Sequence, residues 1–246
     1  MRKPIIVVTP ARVWADIPGF GKISSVRISG SEMSWIRRNG MIPIMPDMMN
    51  AEDADAVMQI ADGLFMTGGA DVDPSMYGEE TRDDCGETEP ERDISDSELM
   101  KAAMKYNKPI IAVCRGSQMG NVVLGGKLYQ HIPAQRPSNI EHVDIASFRE
   151  ETAHEVNVIP GTPLDAIMED KTFRINTTHH QGVKEAGKNV VIQAKAPDGM
   201  VESWYLDDPD LYVRGYQWHP EGQNPNIHEQ TLINDFIKAV KERMGE

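Results

Sequence analysis

The feature that most constrains this chain is the alternation of short apolar runs with helix-like stretches. Ile5–Thr9, Ile42–Met45, Leu64–Thr67 and Ile110–Cys114 are apolar nearly throughout, as strands buried on both faces are. Between them Ser31–Asn39 (closed by Gly40), Glu52–Gln59 and Ser95–Tyr106 read as helices, the last with Leu99, Met100 and Met104 at helical spacing. Strand, helix, strand repeated in this way predicts an α/β fold: a doubly wound, mostly parallel central sheet flanked by helices. From Val143 to Gln217 the pattern changes. Val190–Ala194 and Tyr212–Trp218 alternate, with the turn Pro197-Asp198-Gly199 between them, so a few antiparallel strands are added. A last helix from Ile227 to about Met244 gathers Leu232, Ile233, Phe236, Ile237 and Val240 on one face and packs back on the sheet. No repeat, low-complexity tract or linker interrupts the 246 residues, which predicts a single domain over 1–246.

Charge and cysteine content then remove whole classes of function. Lys and Arg number 25 against 38 Asp and Glu, a net charge of −13. Such a chain is repelled by phosphate backbones and carries no basic run, so no nucleic-acid partner is expected. Two cysteines in unrelated contexts make neither a disulfide framework nor a CxxC metal site. The opening Met1–Val8 is too brief for a signal segment, and no window reaches the length of a membrane span. The expectation is a cytoplasmic protein without a membrane partner. The segments Pro10–Ser29 and Asp71–Asp93 read as long loops, and loops of that length in a compact domain are usually functional or mobile.

One cysteine sits where a nucleophile would. Cys114 directly follows the run Pro109–Val113, with Ala112 two residues before it and Gly116 two after. A strand that ends in a nucleophile and turns sharply into a helix is strained, and it needs small residues at those two positions. Gln118–Leu124 supplies the helix, whose N-terminus favours a thiolate. The residue would also project from the carboxyl edge of the sheet, where α/β sites lie. A small apolar cysteine finishing a buried strand fits the run equally well. A thiolate nucleophile needs a base and the base an orienter. Gly215–Glu221 offers both: a strand ending in His219, stopped by Pro220, with Glu221 two residues on.

Four motifs in order now carry a resemblance: Gly68-Gly69 with Asp71 and Asp73-Pro74; Cys114-Arg115-Gly116 with Gln118 and Asn121; Asn176 with His179-His180-Gln181; and Gln217-Trp218-His219-Pro220-Glu221. Together they resemble the class I glutamine amidotransferase-like superfamily, nearest the gamma-glutamyl-gamma-aminobutyrate hydrolases, over nearly the whole chain. The resemblance implies the flavodoxin-like glutamine amidotransferase fold and a triad of Cys114, His219 and Glu221. It also implies an oxyanion hole from the backbone amides of Gly69 and Arg115, and a substrate site near His180 and Gln181. Gln118, one helical turn beyond Cys114, could face the same pocket. Two departures stand at the pocket mouth: Pro10–Ser29 matches no subfamily, and the stretch after Glu221 lacks an aromatic.

His179-His180 raises the question of a metal, but neighbours on an extended segment point to opposite faces. No third ligand is evident in sequence, so no metal is expected. Cys85 has acidic neighbours and reads as an incidental loop thiol. The resemblance thus implies a hydrolase of gamma-glutamyl amides without a cofactor. It would release glutamate and an amine such as gamma-aminobutyrate or another product of polyamine breakdown. In the loop Asp71–Asp93 the acidic residues would favour a cationic amine, whereas Arg82 and Arg92 could grip a carboxylate. Two alternatives stay open: a glutaminase that passes ammonia to a synthase, which Arg115 argues against, and an inactive binding relative, against which the complete triad speaks. The partner expected is a small gamma-glutamyl molecule; the sequence leaves the oligomer, a homodimer included, open.

Overall fold

Alternate side chains of strand β1 (Ile5–Val8) enter different cores: Ile6 and Val8 on one face, Val7 on the other, all fully buried. A strand so placed needs helices on both sides. The computed structural model, which describes residues 2–144, 153–222 and 227–246, supplies them. In chain order β1 is followed by β2 (Ala11–Ile17), β3 (Gly21–Arg27), α1 (Gly30–Arg38), β4 (Ile42–Ile44), α2 (Ala51–Ile60) and β5 (Gly63–Met66). Next come α3 (Pro90–Lys105), β6 (Ile110–Val113), α4 (Arg115–Val123), β7 (Lys127–Tyr129), α5 (Ile132–Gln135) and β8 (Val143–Asp144). The chain closes with β9 (His154–Val158), α6 (Pro163–Ile167), β10 (Thr172–Ile175), β11 (Thr177–Thr178), β12 (Gly182–Glu185), β13 (Val190–Lys195), β14 (Val201–Leu206), β15 (Val213–Tyr216) and α7 (Ile227–Arg243).

Among the described residues the main sheet has nine strands, in the order β10-β9-β13-β14-β15-β6-β5-β1-β4. The run from β15 to β4 is parallel. The strands β14, β13, β9 and β10 extend it antiparallel. One face is covered by α1 and α7 through Trp35, Ile36, Leu232 and Phe236, the other by α2, α3 and α4 through Met58, Leu99 and Met119. The doubly wound sheet with added antiparallel strands is therefore the architecture observed.

Two segments differ from their sequence reading. Pro10–Ser29 is no loop: Ala11–Ile17 and Gly21–Arg27 pair as an antiparallel hairpin that stands apart from the main sheet. Helix α3 begins at Pro90 rather than Ser95, with Pro in its first turn and Glu91 and Asp93 beside the orphan amides. The loop after β5 is shorter accordingly, and a 3₁₀ turn at Pro74–Tyr77, capped by Asp73, interrupts it. Of the stretch after Glu221, residues 223–226 lie outside the described residues.

This topology positions the site. β5, β6 and β15 are neighbours, so the turn after β5 (Gly68-Gly69), the residue after β6 (Cys114) and the residues after β15 (His219, Glu221) meet at one carboxyl edge.

Candidate active site

Cys114 is held in a conformation that side chains rarely adopt, φ 51° and ψ −111°, between β6 and α4. Its amide is tied to the Tyr216 carbonyl at 2.8 Å, and its carbonyl accepts the Gln118 amide at 3.1 Å. Backbone strain of this kind costs about 1–3 kcal/mol and persists only where the surroundings enforce it. They do. A Cβ at Gly116 would lie 2.3 Å from the Met66 carbonyl oxygen, so only glycine lets α4 approach β5 this closely. Ala112, two residues before the cysteine, is fully buried.

His219 and Glu221 share the cavity with Cys114. Its volume is about 210 Å³, and Gly68, Gly69, Thr178 and Glu32 also line it. His219 Nδ1 donates to Glu221 Oε1 at 2.7 Å, so Nε2 is the nitrogen left to face the reaction, with the Thr178 hydroxyl 3.1 Å from it. Burial opposes the imidazolium. The Glu221 carboxylate and the Cys114 sulfur outweigh that effect and hold the His219 pKa well above its ordinary value. The backbone of His219 is fixed by Asn176, whose Oδ1 accepts its amide at 2.8 Å and whose Nδ2 donates to its carbonyl at 2.9 Å.

The Gly68-Gly69 turn rests on a buried guanidinium. Arg92 Nη2 donates to the Gly68 carbonyl at 2.7 Å and to the Thr67 hydroxyl at 3.0 Å. Gly69 has φ +156°, and a Cβ there would lie 2.0 Å from Arg92 Nη1, so the turn needs glycine on both counts. Arg115 opens α4, and the first amides of a helix have no partner within it. Its side chain turns inward, to Asp93 at 2.5 Å and to Asp96. Arg92 joins the same buried cluster through Asp96 at 3.5 Å. Removing one member would leave buried charge unpaired, at a cost of about 3–5 kcal/mol.

None of the three predicted binding residues lines the Cys114 cavity. Gln118 does not reach the Cys114 cavity: its amide donates to the Gln181 carbonyl at 2.9 Å and to Gln217 Oε1 at 3.1 Å. Gln181 accepts from the Val72 amide and donates to the Gln130 carbonyl, fully inside the protein. His180 turns to Asp71 Oδ1 at 2.8 Å and to His131 at 3.0 Å. The polar groups of Gln118 and Gln181 are spent on holding α4 to the segment behind the site. Arg92, read as a grip for a carboxylate, is likewise buried beneath the glycine turn.

Sequence reasoning missed Glu32, Asn176 and Thr178 as site residues. Glu32 is the third residue of α1 and accepts the Ser29 amide at 2.7 Å in a capping box, a pattern visible in the sequence as Ser29-x-x-Glu32. Burial and the nearby Glu221 carboxylate raise its pKa to about 7. The reading of His179 also needs correction: His142, His154 and Glu202 surround it, so further ligand-type groups are present that spacing did not reveal.

Residues 4–221 match the family Peptidase C26. Protein NtpR of Enterococcus hirae is 36% identical over 198 residues, 80% of this chain and 82% of that protein. The gamma-glutamyl-gamma-aminobutyrate hydrolase of Escherichia coli O157:H7 is 33% identical over 193 residues, 75% of this chain and 74% of its own. Among solved structures, a glutamine amidotransferase of Thermotoga maritima superposes with a TM-score of 0.55 at 12% identity, covering 100% of this chain and 87% of that one. A Thermoplasma acidophilum protein assigned to GMP synthase reaches 0.66 at 14% identity, covering 100% and 98%. With a strained cysteine, a carboxylate-bound histidine and a glycine turn at one sheet edge, the chain belongs to the Peptidase C26 family of class I glutamine amidotransferase-like proteins.

Proposed function

We propose that this protein is a stand-alone cysteine hydrolase that cleaves the gamma-glutamyl amide bond of a small gamma-glutamyl amine. The observation that carries the reading is the shared cavity of Cys114, His219 and Gly69, with the far nitrogen of His219 bound to Glu221 at 2.7 Å. Cys114 Sγ gives its proton to His219 Nε2 and attacks the amide carbon. The oxygen that becomes negative is met by the Gly69 and Arg115 amides. His219 then protonates the leaving amine, the C–N bond breaks and a thioester remains on Cys114. Water, activated by the same imidazole, hydrolyses the thioester and frees glutamate. Glu221 holds the tautomer and stabilises the imidazolium throughout.

Room for an amine supports the hydrolase over a glutaminase. A second cavity of about 620 Å³ lies between the β2–β3 hairpin and residues 87–92, and reaches Ala70 beside the oxyanion turn. Ammonia needs no such room; a substituted amine does. The gamma-glutamyl-gamma-aminobutyrate hydrolase of Escherichia coli is a relative whose name matches this chemistry.

The test is a panel of gamma-glutamyl amides, free glutamine included, given to the purified chain while glutamate and amine are measured. Substituted amides should exceed glutamine in kcat/KM. Glutamine hydrolysis that becomes efficient only with a second protein would instead make the chain the glutaminase of a two-protein amidotransferase.

A further inference from the structure

Behind the wall of the active site, four side chains from distant parts of the sequence point at one another. His142 precedes β8, His154 opens β9, His179 follows β11 and Glu202 lies in β14; all four are buried. One ligand-type atom from each falls within 4.8 Å of all the others. Glu202 Oε1 lies 3.4 Å from His142 Nδ1 and 3.7 Å from both His154 Nε2 and His179 Nε2. None of these four atoms has a hydrogen-bond partner among the described residues.

The outer nitrogens decide what faces inward. His154 Nδ1 meets the Glu155 carbonyl at 3.1 Å and His179 Nδ1 meets the Gln181 carbonyl at 2.8 Å. A carbonyl oxygen only accepts, so both Nδ1 atoms carry the hydrogen and both Nε2 atoms present lone pairs. His142 Nε2 donates in the same way to Asp198 Oδ2 at 3.0 Å, leaving its Nδ1 bare. Three lone pairs and a carboxylate then confront each other away from water. A buried acceptor without a donor is destabilising, and the mutual repulsion of four such atoms adds to that. A proton on His142 Nδ1 would answer only the pair at 3.4 Å and leave the two Nε2 atoms unmet. Four acceptors ask for a larger cation.

We propose that this cluster is a structural site for one divalent transition ion, zinc fitting best. Three imidazole nitrogens and one carboxylate oxygen complete a tetrahedral set, and the burial of all four side chains among the described residues fits a closed site rather than a catalytic one. Metal–ligand bonds of about 2.0–2.1 Å place tetrahedral ligands about 3.3–3.4 Å apart. The three pairs that Glu202 Oε1 makes, at 3.4–3.7 Å, are already near that spacing, and the histidine nitrogens, which lie within 4.8 Å of one another, close the rest by rotation of their rings. The outer hydrogen bonds to a carboxylate and two carbonyls are the supports that ligating histidines use. The ion would pin the segment that carries Asn176 and Thr178 to the antiparallel half of the sheet: the His142 carbonyl already accepts from the His179 amide at 2.8 Å and the Thr177 hydroxyl at 2.9 Å. The proposal does not depend on the substrate of the enzyme.

The experiment is metal analysis of the full chain stripped with a chelator, reloaded with Zn²⁺ or Co²⁺ and freed of excess ion by gel filtration. About one ion per chain is expected. The Co²⁺ form should show the strong visible bands of four-coordinate cobalt, and X-ray absorption of the Zn²⁺ form should show nitrogen and oxygen neighbours with no sulfur. Glu202→Gln and His154→Gln should lose the ion, whereas His228→Ala, at the start of α7, should keep it. A folded wild-type chain that takes up neither ion overturns the proposal. So does a sulfur shell, which would put the ion at a cysteine even where the variants fail to fold. Full retention of the ion by both cluster variants has the same consequence.

Discussion

The side-chain amide of Asn176 pairs with both backbone groups of His219, 2.8 Å to the amide nitrogen and 2.9 Å to the carbonyl. That grip reaches across 43 residues of sequence, and the imidazole inherits its aim from it. Asn176→Ala leaves two buried backbone groups unmet and should cost about 2 kcal/mol of stability. Because small misplacements of a reacting group are expensive, kcat should drop by about 10²-fold while KM hardly moves. Steady-state kinetics on the folded variant decide it; an unchanged kcat would mean that the residues after β15 hold the imidazole unaided.

The two cysteines should separate cleanly. Cys114→Ala is expected to abolish turnover and to preserve the fold, since the change is small at a strand end. Cys85 is partly buried and close to Asp71, and these push its thiol up to about 11. Cys85→Ala should therefore keep turnover near that of the wild type. Equal loss in the two variants would remove Cys114 from the role of nucleophile.

Glu221→Gln keeps the shape of the orienter and loses its charge. An imidazole no longer held in the right tautomer, beside no carboxylate, is expected to slow turnover by about 10⁴-fold, as in the analogous serine triad. The loss should fall on kcat rather than on apparent affinity. A Glu221→Gln enzyme with full turnover would strike it from the triad.

What the sequence made legible was local. The elbow around Cys114 is written in a few consecutive residues, and Glu221 stands two residues from the histidine that it hydrogen-bonds, so spacing alone pairs them. Strand burial was legible because Ile6, Val7 and Val8 are apolar on every face. Glu32 and Asn176 were hidden for the opposite reason: the first comes from a helix start far from His219 in the chain, and only the sheet order brings it near. The His142, His154, His179 and Glu202 cluster needs the antiparallel pairings of β8 with β11, β9 with β13 and β13 with β14 before any spacing can be seen. The inward hydrogen bonds of Gln118 and Gln181 were not legible, because a polar residue near Cys114 looks the same in sequence whether it faces a cavity or its own backbone.

Glu32 gives the protein a pH signature of its own. Its folded-state pKa is about 7 against an ordinary 4.5, so the folded chain keeps a proton that the unfolded chain has released. Stability contributed by this group must then fall as pH climbs from 4.5 to about 7, and level off above. The full swing is up to about 3 kcal/mol. Glu32→Gln removes it, so the variant should gain on the wild type between about pH 4.5 and pH 8 by that order. Urea unfolding across the range measures the difference; a gap that stays constant with pH would show that Glu32 ionises normally in the folded protein.

Selectivity for the leaving amine should be written in the cavity between the hairpin and residues 87–92. Its wall carries charges of both signs, but they are not equally available. Arg12 is bound to Asp47 and Glu91 at 2.9 Å each, and its amide takes Glu89. Arg92 is buried beneath the glycine turn. That leaves Arg27 on β3 and Glu87 as the exposed charges facing the space. An amine that ends in a carboxylate would use Arg27, and one that ends in a second ammonium would use Glu87. For gamma-glutamyl-gamma-aminobutyrate, Arg27→Ala should raise KM by about tenfold, the worth of one partly exposed charge-assisted hydrogen bond. Glutamine, with no tail to reach that far, should be unaffected by the same change. Kinetics of Arg27→Ala and Glu87→Gln on an acidic-tailed and a cationic-tailed substrate separate the cases. If Glu87→Gln alone raises KM, and only for the cationic tail, the cavity selects an amine with a second positive charge; if neither change distinguishes the tails, this cavity does not hold the leaving group.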